Sequence, residues 1–184
     1  MYQVIHYNDE DKRLYELYHK MFQYDDGLLI RKISTSSQAQ KGYVVGKTTD
    51  KQGYCKVWIE GKVKKLHRVI YHMFHGHCPS RERPIDGKTQ IDHIDRVRHN
   101  NRIENLRAVS GDENQRNTHG SITLKGRTSK YKGISKLRDY NKWRVRITVN
   151  HVTHHIGYFD SEEEAIDAYN KHVVQYHGEY AVIH

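Results

Sequence analysis

The densest set of candidate ligands and proton-transfer groups lies between Gln90 and Asn117. It runs Ile91-Asp92-His93-Ile94-Asp95, then Asn100-Asn101-Arg102-Ile103-Glu104-Asn105-Leu106, then Ser110-Gly111-Asp112-Glu113-Asn114. Hydrolysis of a phosphodiester needs an activated water, neutralised phosphoryl oxygens and a stabilised leaving oxygen. A neutral imidazole, with an ordinary pKa near ~6.5, takes a proton from water around neutrality, which makes His93 the candidate base. Asp92 and Asn114 supply hard oxygen ligands suited to magnesium, with manganese as the alternative. Asn105 is expected to hydrogen-bond across a hairpin and hold the His93 ring, because a base that wobbles loses its positional advantage.

The elements that must position these groups follow from local pattern. Thr89 to His93 reads as a strand, Arg96 to Asn101 as a polar loop and Asn105 to Val109 as a second strand. Ser110 with Glu113 then forms a capping box that starts a helix. Adjacent strand residues point to opposite faces, so Asp92 and His93 share a site only where the strand ends. Upstream, Asn8 precedes a helical pattern in Leu14, Leu17 and Met21, and a strand is expected over Leu28 to Ile30. Short strands are expected at Tyr43 to Val45, Tyr54 to Ile59 and Lys62 to Lys65, then a helix from Leu66 to Gly76 with Leu66, Val69, Ile70, Met73 and Phe74 on one face. Arg68 on that helix and Arg102 in the loop are candidate phosphate contacts.

This order resembles the HNH endonucleases of phage and intron-encoded homing type, with Leu66-His67-Arg68-Val69-Ile70-Tyr71 as a second match ahead of the motif. The resemblance implies a ββα-metal fold with one divalent ion. Asp92 and Asn114 would be its ligands, with His93 activating water, Asn105 in support, and 5'-phosphate and 3'-hydroxyl ends as products. The third motif position is Asn rather than His.

Beyond a Thr, Gly and Ser-rich stretch from Thr118 to Ser129, read as a linker, the pattern changes. Trp143, Val145, Ile147 and Val149 alternate with Arg144, Arg146 and Thr148, the mark of a half-buried strand with a cationic outer face. His151 to Phe159 reads as the next strand, and Ser161 with Glu164 caps a helix carrying Ala165, Tyr169 and Val173. The helix covers one sheet face and leaves the other open, a shape suited to the DNA major groove. Tyr131-Lys132-Gly133-Ile134, Lys142-Trp143, Ile156-Gly157-Tyr158-Phe159 and Glu164-Ala165 to Tyr169 resemble the Apetala-type DNA-binding domain. That resemblance makes Lys136, Arg138, Tyr140, Arg144, Arg146, Thr148 and His155 the candidate DNA contacts.

The expected class is therefore α+β. It comprises a nuclease domain with an N-terminal helix and strand extension at 1–117, a linker at 118–129, and a three-stranded antiparallel sheet packed on one helix at 130–184. Composition agrees with a polyanionic partner: Lys and Arg number 31 against 22 Asp and Glu, a formal charge of +9 over 184 residues. No apolar run long enough to span a bilayer and no N-terminal signal pattern is read, so the expectation is an intracellular, cytoplasmic protein acting without a membrane. Two distant cysteines, Cys55 and Cys78, give neither a disulfide framework nor a structural zinc site. The partner expected is double-stranded DNA, bound by a monomer or a weak dimer. Two other classes remain open: a non-catalytic DNA-binding regulator using the same scaffold, and a binder of structured RNA.

Overall fold

A computed structural model describes residues 4–117, 128–149 and 152–184. Most of the expected linker, 118–127, lies outside the described residues. The chain forms two compact units, Met1–Ser110 and Gly111–His184.

The first unit opens with α1 (Asp9–Met21), capped by the Asn8 side chain, whose oxygen accepts from the Asp11 N–H at 2.8 Å. The chain then enters the hairpin β1 (Phe22–Asp25) and β2 (Leu28–Arg31), to which β3 (Val44–Val45) adds a third antiparallel strand. A two-stranded ribbon follows, β4 (Lys56–Ile59) and β5 (Lys62–Lys65), and runs straight into α2 (Leu66–His75). Helix α2 stops at Gly76, whose φ of 77° is the left-handed conformation that ends helices. Leu66, Val69, Ile70 and Met73 on its inner face pack with Phe22, Leu29, Val57, Ile59, Ile91, Ile103 and Leu106. This one helix therefore ties the small sheets to the hairpin formed by β6 (Gln90–His93) and β7 (Leu106–Val109). Small sheets cannot close a core alone, so the buried helix face is what fixes their relative placement.

The second unit begins with α3 (Gly111–Arg116), followed by the antiparallel meander β8 (Ile134–Leu137), β9 (Lys142–Val149) and β10 (Val152–Phe159). Helix α4 (Glu162–His177) starts at the expected cap, where Ser161 Oγ accepts from Glu164 N–H at 3.1 Å. Ala165, Tyr169 and Val173 of α4 bury against Ile134, Val145 and Ile147. The α+β class and the small antiparallel sheets of the sequence reading are thus present. Among the described residues no helix is long and apolar enough to cross a membrane.

Candidate functional site

In the β6–β7 hairpin Asp92 stands opposite Arg107 and His93 opposite Leu106. Arg107 donates from Nε and Nη2 to Asp92 Oδ2, each at 3.2 Å, and both side chains are largely buried. Arg107 was not among the sequence-predicted site residues; the cross-strand register with Asp92 is what brings it to the site. An enclosed carboxylate needs a compensating cation, and the guanidinium supplies it.

His93 ends β6, as the sharing of a site with Asp92 requires, but it does not face an open, hydrated gap. Its residue is 4% exposed. The ring meets His67 edge-on at 4.9 Å between centroids, with Tyr54 at 6.2 Å, and its Nε2 lies 3.2 Å from Asn101 Oδ1. The Asn101 amide donates from Nδ2 to the His99 carbonyl at 3.1 Å, so its oxygen is the atom turned to the imidazole. A carbonyl oxygen only accepts, so Nε2 carries the proton and Nδ1 is the lone-pair nitrogen. Burial lowers the His93 pKa, against an upward pull from Asn101, Asp92 and Asp95, and the ring is kept neutral.

Asn105 does something other than the expected bracing of the ring. Its Oδ1 accepts from the Asp95 N–H at 3.0 Å, and its Nδ2 donates to Asp95 Oδ1 at 2.9 Å and to the Asn100 carbonyl at 2.8 Å. It closes the loop that follows His93, and that loop in turn delivers Asn101 to the imidazole. The Asp95 carboxyl, for which burial is the largest influence and acts upward, is nevertheless held below its ordinary range by Val97 N–H, Asn100 and Asn105. Asn101, 1% exposed, was missed as a functional residue because Asn100-Asn101 reads locally as a turn.

The two phosphate candidates of this unit are otherwise engaged. Arg102 forms a bidentate pair with Asp26, at 2.7 and 2.6 Å, tying the loop to the β1–β2 turn. Arg68 donates from Nη2 to the Pro79 carbonyl at 2.8 Å. In this structure the Arg102 fork is occupied by Asp26.

Asn114 lies on α3, in the second unit, whereas Asp92 and His93 lie in the first. Among the described residues no group of three or more His, Cys, Asp or Glu is arranged to hold a metal. Both cysteines, Cys55 and Cys78, are buried free thiols. One carboxylate and one amide do fit magnesium, which keeps several waters and completes its shell with substrate phosphate.

Against the His93 ring, His67 is almost fully enclosed, and among the described residues its Nδ1 has no hydrogen-bond partner. Desolvation, with His93, Lys65 and Arg68 adding to it, drives its pKa from 6.5 down to about 2. The unfolded chain takes up a proton on His67 as pH falls through 6.5, while the folded chain does not until about 2. The unfolded state therefore binds more protons across that window, and stability is lost on acidification. The expected result is a melting temperature that falls progressively as pH drops below 6.5 and falls less steeply in His67→Gln; identical slopes would refute the assignment.

On the second unit, Ser135, Arg144 and Tyr158 are register partners, as are Arg146 with His155 and Thr148 with Thr153. They occupy the face opposite α4, where Arg146, Thr148 and His155 are exposed. Lys136 instead pairs with Trp143 and sits 5.6 Å from its ring, on the helix side of the sheet, so it does not belong to the open face. Arg138 and Tyr140 lie in the exposed β8–β9 connection, and Leu137, Tyr140, Lys142 and Tyr158 line a shallow depression at that end. The Lys142 ammonium is paired with Asp160.

Residues 64–116 match the family model of HNH endonucleases. An uncharacterized HNH endonuclease, L560, of Acanthamoeba polyphaga mimivirus is 32% identical over 132 residues, covering 71% of this chain and 62% of that protein. The chain thus spans less than two thirds of the relative's length. No solved structure matches it. The segment similar to HNH endonucleases contains Asp92, His93, Asn101 and Asn105, which the hairpin and its loop organise, and Asn114 on α3.

Proposed function

We propose that this protein is a site-specific, divalent-metal-dependent DNA endonuclease of the homing type, in which the nuclease segment cuts and an Apetala-like sheet positions double-stranded DNA. The observation that carries this reading is the His93 imidazole, held neutral in one tautomer by Asn101 at the end of β6, beside the Asp92 carboxylate.

His93 takes the proton of the attacking water at Nδ1 while Nε2–H remains donated to Asn101. Asn105 keeps the loop closed, so the imidazole holds its direction as its charge changes. A divalent ion, magnesium by preference, held by the Asp92 carboxylate and the Asn114 amide oxygen would neutralise charge on the phosphoryl oxygens. The ββα arrangement belongs to the same reading. Arg107 screens Asp92 in the absence of substrate and is positioned to turn toward phosphate when its partner is otherwise engaged.

Arg144, Arg146, Thr148 and His155 form the surface that meets the duplex, with Arg138 and Tyr140 at its edge. A single site nicks one strand per visit. Supercoiled plasmid carrying the neighbouring genomic sequence should convert to open circle with magnesium and remain intact with chelator. Absence of cleavage on every DNA tried, with tight duplex binding retained, would replace this reading by that of a regulator. Binding should weaken by a factor of about 10³ or more between roughly 50 and 200 mM salt if six or more phosphates are contacted. A salt-independent affinity would contradict the cationic-surface argument.

A further inference from the structure

The β4–β5 ribbon carries a feature that the cleavage chemistry does not use. Its inner positions, Val57 and Ile59, are buried in the core, while Trp58 and Val63 are cross-strand partners on the outer face and stand 63% and 47% exposed. The two side chains form one apolar pair on a ribbon whose outer face is otherwise lined by lysines. The next pair on the same face is Lys56 with Lys65. Lys65 Nζ sits 3.8 Å over the Tyr54 ring, and Arg98 lies 5.1 Å from the same ring. Tyr54 in turn adjoins His67 and His93. An unbroken cationic and aromatic stripe within the first unit therefore leads from the candidate base to Trp58.

The ribbon is held rigidly. Arg31 donates to the Trp58 carbonyl at 3.3 Å, and Glu60 at the tip accepts from Arg13 at 3.1 Å. Asp50 is paired with Lys56 at 2.7 Å, and Glu60 shares the Arg13 guanidinium with Glu10. Lys65, on the face of Trp58, and Arg98, beside the Tyr54 ring, make no ion pair among the described residues, while Lys62 and Lys64 are the partners of Ile59 and Val57 on the other face. The uncompensated charge around the indole is positive, which selects a polyanion over an apolar protein surface.

We propose that this ribbon is a second DNA-contacting surface, in which Trp58, supported by Val63, packs against sugars and base edges of the duplex flanking the cut phosphate. This rests on the DNA-endonuclease reading. Strand residues advance ~3.3 Å each, so Trp58 lies about two base-pair steps beyond Lys56 and Lys65 along the stripe. Apolar and aromatic side chains of this kind are used to grip a groove without reading a unique sequence. The contact anchors the duplex on the nuclease unit itself, independently of the C-terminal sheet.

The test uses the full chain carrying Trp143→Phe, so that Trp58 is the only tryptophan, with a mixed-sequence duplex as probe and chelator present to prevent cleavage. DNA should quench Trp58 emission and protect it from iodide. Trp58→Ala should weaken duplex binding by about 10-fold with an unchanged melting curve, and Trp58→Phe should restore most of the loss. Binding that leaves Trp58 emission and iodide access unchanged, or a Trp58→Ala protein with the affinity of its parent, overturns the ribbon contact alone. A parent protein that neither binds nor cleaves DNA overturns the endonuclease reading, and the ribbon contact falls with it.

Discussion

His93→Ala is expected to slow plasmid relaxation by about 10²–10⁴-fold, the contribution of a positioned general base, while duplex affinity stays within about twofold. The expectation follows from three features. The ring is neutral because burial lowers its pKa, so no prior deprotonation is needed at neutral pH. Its tautomer is fixed, because Asn101 presents an oxygen to Nε2. Its enclosure, with 4% exposure, keeps it from bulk solvent.

Since the ring is packed against His67, its removal leaves a cavity. The nearly isosteric His93→Gln therefore serves as the control, expected to lose activity equally while melting close to the parent protein. Asn101→Ala should lower the cleavage rate less, because it frees the ring without removing it. Full activity in His93→Gln, with the fold intact, would end the assignment of His93 as base.

Gly133→Ala should destabilise the C-terminal unit by roughly 3 kcal/mol or more and abolish its share of DNA binding. Gly133 has a φ of +79°, where a side chain costs about 1–2 kcal/mol. A Cβ there would stand 2.6 Å from a carbon of the buried Tyr169 ring and would be driven into the Arg146 carbonyl oxygen. The neighbouring backbone cannot yield easily, because Arg146 N–H donates to the Gly133 carbonyl at 2.8 Å. Tyr169 is the largest side chain buried under the sheet, so the strain spreads through the one core that holds the arginine face open. Calorimetry should show an early transition, and the gel-shift affinity should drop with it. A variant that melts like the parent would mean that the β8 entry is far more deformable than this packing allows.

Much of this architecture is local in origin. The caps at Asn8 and Ser161 fall where a polar residue precedes an acidic first turn. The strand β9 follows from its alternation, and the helix α2 ends at the expected glycine. Register arguments went less far. The sequence reading put Lys136 with the DNA-facing residues, but pairing with Trp143 turns it to the helix side, since a one-residue difference in register changes the face. It assigned Asn105 to the imidazole, whereas the amide is used to close the 94–101 loop. Two adjacent asparagines with one local signature have different environments, Asn101 at 1% exposure against a half-buried Asn100, and only chain closure separates them.

The residue types and their order determined by themselves that Asp92 and His93 end a strand, that a second strand opposes it, and that an amphipathic helix precedes both. Helix and strand periodicities and capping preferences act over a few residues and are written directly in the chain. Tertiary structure decided who touches whom: Arg107 on Asp92, Asp26 on Arg102, Asn101 and His67 on His93. Those pairings depend on long-range packing around α2, which removes water from some polar groups and leaves others exposed, and no short window of sequence carries that information.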